Sequence, residues 1–96
     1  MELGIGTRAK SLIEITGNED LVFFTGYNYD SAIIGISHDD RVIYSYNKMI
    51  DFLVKTEKWT DEEAIEWIDY NTLRAIPYGG ANAPIVLMDM MPELDD

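Results

Sequence analysis

The chain has 96 residues, 47% of them hydrophobic and 11% aromatic, enough for one domain with a real core and too few for a second. Eighteen acids stand against seven bases, a net charge of −11, so the surface repels nucleic-acid backbones and anionic membranes and favours basic protein surfaces or metal ions. The absence of cysteine excludes disulfides, thiolate metal sites and thiol nucleophiles, and it suits a reducing cytoplasm.

From the N-terminus, Met1-Glu2-Leu3-Gly4 lacks the basic start and apolar stretch of a signal peptide. Thr7 is placed to cap a short helix over Arg8 to Ile15, with Gly17 as its stop and Ala9, Leu12, Ile13 and Thr16 on one face. Leu21-Val22-Phe23-Phe24 is a short apolar run that reads as a strand ending at Gly26. Two β-branched and aromatic runs follow, residues 32–37 and 41–46, separated by His38-Asp39-Asp40, and together they read as a hairpin. Gly35 inside the first run suggests a bulge or a close backbone approach.

A helix is expected from Tyr46 to about Lys55, with Met49, Ile50, Phe52 and Leu53 on one side. Thr60-Asp61-Glu62-Glu63 is a capping box for the next helix, and its acids suit the positive end of the helix dipole. Ala64, Ile65, Ile68, Thr72, Ala75 and Ile76 form the buried stripe of that helix, which Pro77 ends. Asn71, at the margin of the stripe, needs partners that the turn from Pro77 to Gly80 or a neighbouring loop could supply. Ala83 to Met88 reads as a last strand with Pro84 at an edge or start, and the acidic tail 91–96 is expected to fray. The fold expected is α+β in a single domain over 1–96: a small antiparallel or mixed sheet of three or four strands with about three helices packed on one face. No apolar run approaches the roughly 20 residues of a membrane span.

Few residues point to chemistry. His38 beside Asp39 and Asp40 could serve as a metal ligand or an oriented base, yet no second histidine could complete a transition-metal site and hairpin tips favour Asp for backbone reasons. Asp89, Glu93, Asp95 and Asp96 do not have the spacing of a calcium loop. Neither Gly4-Ile5-Gly6 nor Gly79-Gly80 has the spacing of a phosphate loop. The chain is expected to have no catalytic residues, no metal and no cofactor.

Binding is better represented. Glu62, Glu66 and Asp69 stand at i, i+4 and i+7 on a solvated helix face, where they form an acidic stripe. Trp67, Tyr70 and Arg74 follow at i, i+3 and i+7, and these residue types are enriched at binding hot spots. Tyr27 and Tyr29 flank Asn28 in an aromatic loop that could form a second contact patch.

Residues 30–35, Arg41-Val42-Ile43-Tyr44, Glu63 to Asn71 and Ala83-Pro84-Ile85-Val86 resemble a group of small uncharacterised proteins encoded by bacteriophages and prophages, over roughly residues 20 to 88. That resemblance carries no assigned activity; it implies a phage context, in which small acidic proteins include inhibitors of host defence that imitate the charge of DNA. The expectation is a cytoplasmic accessory protein that binds a protein partner, such as a basic nucleic-acid-binding protein, without itself touching nucleic acid or membrane. The alternatives are a self-associating scaffold that homodimerises through the aromatic helix side and whose acidity serves only solubility, and a metal protein or enzyme built on His38, Asp39 and Asp40.

Overall fold

The two β-branched runs pair around the polar turn as their composition requires. In the computed structural model, which describes residues 6–89, β1 (Ile33–Ile36) and β2 (Val42–Ser45) form an antiparallel hairpin with Ile33 opposite Tyr44 and Ile36 opposite Val42. The register shifts between Ile33 and Gly35, so the irregularity expected at the glycine is a bulge. Ile33, Val42 and Tyr44 are buried and Ile34 is exposed, so one face of the hairpin meets the core. The tip turns through Asp40, whose φ of 64° is left-handed and tolerated by Asp.

The third strand comes from far along the chain. β3 (Ile85–Leu87) runs parallel to β2, giving a mixed sheet of order β1-β2-β3. Parallel neighbours cannot be joined by a tight turn. The intervening chain holds α2 (Tyr46–Glu57) and α3 (Asp61–Trp67). Two side chains fasten the returning strand: Arg41 Nε donates to the Ala83 carbonyl at 2.8 Å, and Ser45 Oγ donates to Asp89 at 2.6 Å.

Around the sheet, α1 (Thr7–Thr16) buries Ala9 and Leu12, α2 buries Met49 and Leu53, and the α3 segment buries Ala64 and Ile68. These residues join Ile33, Val42 and Tyr44 in one core cluster, making this an α+β fold. The i to i+4 spacing of Met49 with Leu53, and of Ala64 with Ile68, puts each pair on one helical face. Gly17 ends α1 at a φ of 70°, a left-handed position where a side chain is strained.

Several expectations are corrected. Thr7 is the first residue of α1, not its cap; the cap position is Gly6, and the orphan amides of Arg8 and Ala9 donate instead to the carboxylate of Asp30 at 3.2 and 2.9 Å. Leu21 to Phe24 is no strand. Leu21 is buried and the next three residues are half-buried, without alternation, and the Phe24 amide donates to the Tyr44 hydroxyl rather than to a ladder.

The third helix does not run unbroken to Pro77. A π-helical turn occupies Ile68–Thr72, with the Leu73 amide donating to Ile68 five residues back, and a 3₁₀ stretch carries Leu73–Tyr78 with Pro77 inside it. Widening the turn shifts the helical phase of the residues beyond it. Ala64, Ile68 and Thr72 stay buried, whereas Ala75 is exposed and half-buried Leu73 packs on the core. Asn71 is exposed, and its amide donates to the Trp67 carbonyl at 3.1 Å, not to the turn after Pro77. The acidic tail 91–96 lies outside the described residues.

Candidate functional site

The connection between α2 and α3 is three residues long, and its geometry fixes the first wall of a groove. Lys58 ends α2 at a φ of 60°, and Thr60 starts α3 by accepting the Glu63 amide while Glu63 accepts the Thr60 amide at 2.9 Å. Trp59 is held between these two caps and packs against the core as a half-buried ring. At the last residue of α3, Trp67 is likewise half-buried. Tyr27 meets both indoles edge-on, at 4.9 Å to Trp67 and 6.2 Å to Trp59.

A groove of about 750 Å³ is lined by Trp59, Glu63, Glu66, Trp67, Asp69 and Tyr70. Its charged groups are carboxylates; no Lys or Arg is among the described lining residues. Two carboxylates are already oriented. One Glu63 oxygen takes the Thr60 amide, and Asp69 Oδ1 accepts from the Tyr46 hydroxyl at 3.0 Å, leaving each with a further oxygen. Burial and the neighbouring Asp69 push the Tyr46 phenol up to about 12, so at neutral pH it stays a donor.

The π-helical turn sets the far side of the groove. It carries Asp69 and Tyr70, and such turns are frequent at functional sites because they redirect side chains without ending a helix. Tyr70 is 70% exposed, and the Arg74 guanidinium lies over its ring at 4.7 Å from the centroid.

The expected site residues divide accordingly. Glu66, Trp67, Asp69 and Tyr70 are brought together in the groove; Arg74 reaches it through Tyr70; Glu62 is exposed on α3 but outside the lining. Tyr27 supports the tryptophan walls rather than forming a separate loop patch. Tyr29 is corrected outright: it is 1% exposed and packs against Phe24, Tyr44 and Phe52, so it belongs to the core and cannot touch a partner.

Trp59 and Glu63 were not singled out by sequence as binding residues. A signal existed for the tryptophan: an apolar residue immediately before a capping box is the staple position, where the chain direction is fixed against the helix.

The other candidate chemistry is not assembled. His38 is exposed at the hairpin tip, Asp39 accepts from the Ser37 hydroxyl, and Asp40 accepts from Asn18 at 3.1 Å. Among the described residues no group of three or more His, Cys, Asp or Glu could hold a metal ion. Asp89 is engaged with Ser45, and Glu93, Asp95 and Asp96 lie outside the described residues. No helix among the described residues is long and apolar enough to cross a membrane. The chain matches no protein-family model, no curated protein and no solved structure.

Proposed function

We propose that this chain is a small acidic accessory protein that acts by protein–protein binding, with α3 as its contact surface and a basic protein surface as its partner. The observation that carries the reading is the groove: two tryptophans and a tyrosine, with Glu63, Glu66 and Asp69 as its charged groups. Aromatic anchors beside unshielded charge are what a hot spot requires, and the charge speeds encounter with an oppositely charged partner. From Asp61 to Asp69 the sequence has five acids and no base, which concentrates the field on one helix. The resemblance to phage-encoded proteins extends the proposal to inhibition of a host nucleic-acid-handling or defence protein, whose basic cleft the acidic face would fill.

Self-association through this same face is disfavoured by charge. Two copies would set five carboxylates against five, and like charges placed face to face cost binding energy.

Affinity capture from a host lysate, run in parallel with the wild type and a Glu62→Lys/Glu66→Lys/Asp69→Lys variant, tests the proposal. A protein retained by the wild type, lost by the variant and released by added salt is expected. Equal recovery by both forms, or binding indifferent to salt once the partner is purified, would overturn it.

A further inference from the structure

The groove is not merely acidic and aromatic; the two characters are arranged for one kind of side chain. We propose that it takes an arginine of the partner's basic segment, with the guanidinium plane against the indoles of Trp59 and Trp67 and its N–H groups directed to Glu63, Glu66 and Asp69. This rests on the protein-binding reading above and specifies its chemistry.

Three features of the groove select that occupant. First, two of its lining residues are tryptophans, Trp59 and Trp67, each packed edge-to-face with Tyr27. Tryptophan is the strongest of the aromatic partners for a cation. Second, its acceptors outnumber its donors. Glu63 and Asp69 each spend one oxygen on the fold, on the Thr60 amide and the Tyr46 hydroxyl, and keep another, so a guanidinium with five N–H groups finds more than one acceptor. Third, the chain already makes this type of contact at the groove's edge, where Arg74 lies over Tyr70 at 4.7 Å.

Arginine suits these features better than lysine. Its guanidinium is planar, weakly hydrated and able to stack while still donating in its own plane, whereas an ammonium is compact and strongly hydrated. Charge complementarity rules out an anionic or neutral occupant as the preferred one. Every titratable group lining the groove is a carboxylate or the Tyr70 phenol.

The test uses the full chain and three short peptides that alternate glycine with arginine, lysine or citrulline. Binding is read by calorimetry and by the indole N–H resonances of Trp59 and Trp67. The arginine peptide is expected to shift both indoles and to bind about three- to fivefold more tightly than the lysine peptide, the margin set by stacking. The citrulline peptide, planar but uncharged, is expected to bind far more weakly than either.

Glu66→Gln is the informative variant, because Glu66 has no role in the capping box. It should weaken the arginine peptide about fivefold, while Glu19→Gln, the same charge change at an exposed position in another segment, should change it by less than about twofold. Equal binding of the arginine and lysine peptides without indole shifts, or equal losses from the two variants, would overturn the arginine groove and leave the broader protein-binding proposal standing on its capture experiment. Failure of the arginine peptide to bind also overturns the groove. Equal capture by the wild type and the triple-lysine variant, or capture indifferent to salt, overturns the broader reading instead.

Discussion

The carboxylate of Asp30 accepts the backbone N–H of Ala9 at 2.9 Å across twenty-one residues of sequence, and in doing so caps a helix to which it does not belong. Its other oxygen takes the Arg8 amide at 3.2 Å, and Arg8 in turn donates to the Ile33 carbonyl at 2.7 Å. The start of α1 is thereby tied to the entry of β1. Asp30→Ala is expected to lower stability by about 1–2 kcal/mol, the usual loss for a cap, while Thr7→Ala changes it by less than about 0.5 kcal/mol. Urea unfolding of the two variants distinguishes this arrangement from a Thr7 cap. Gly6→Ala should be damaging as well, because a Cβ there would overlap the Asp30 carboxyl group.

Tyr27 is the common neighbour of Trp59 and Trp67, so its removal is expected to affect the groove as well as stability. Tyr27→Ala should cost about 1–3 kcal/mol and shift tryptophan emission to the red as both indoles gain water. Tyr27→Phe keeps the ring and should leave the emission close to wild type. Fluorescence spectra under native conditions and denaturant midpoints provide the two readings.

Three phenols, Tyr29, Tyr44 and Tyr46, are pushed up to about 12, each chiefly by burial. A folded-state value above that of the unfolded chain means that the native state holds its protons more tightly. The associated stability is complete below about pH 10 and is lost as pH rises from there through about 12. Alkaline unfolding monitored by circular dichroism should therefore track tyrosine ionisation in near-ultraviolet absorbance, and Tyr29→Phe should reduce the effect. The Tyr29 hydroxyl is buried and, although the Thr72 hydroxyl approaches it, makes no hydrogen bond of acceptable geometry. Removing it is expected to leave stability at neutral pH unchanged or raise it by up to about 1 kcal/mol.

Asp89 accepts from the Ser45 hydroxyl at 2.6 Å and the Asn47 amide at 3.3 Å, joining the end of β3 to the start of α2. Partial burial works against its charge, but these bonds and that of the Tyr46 amide outweigh it and hold the carboxyl below its ordinary value. A depressed folded-state value contributes stability that is present above about pH 4 and lost as pH falls through it. Asp89→Ala should lower stability by about 1–2 kcal/mol at neutral pH and flatten the acid limb of a stability–pH curve.

Local signals carried the elements that depend on neighbours in sequence. Thr60 and Glu63 form their capping box, the hairpin forms around residues 38–40, and Met49 and Leu53 are buried one turn apart. The features that sequence did not disclose depend on contacts across the chain. Asp30 looks like an ordinary turn acid until α1 is laid against it, and the π-helical turn at Ile68–Thr72 has no composition that separates it from an α-helix. Tyr27 and Tyr29 stand two residues apart in one loop, yet only packing against Phe24, Tyr44 and Phe52 decides that the second ring is core. Four of the six lining residues, Glu66, Trp67, Asp69 and Tyr70, are legible as an acidic and aromatic helix face. The other two are Glu63, which reads as part of the capping box, and Trp59, which comes from the connection before that helix.

The parallel pairing of β2 with β3 also sets an order of events during synthesis. A ribosome delivers Trp59, Glu66 and Tyr70 well before Ile85–Leu87, so every groove residue is made while β2 still has an open edge. The scaffold beneath the groove closes only when the segment from Ala83 to Asp89 arrives to take Arg41 and Ser45. A nascent chain halted before residue 83 carries every groove residue on an unfinished sheet, where exposed strand edges invite aggregation.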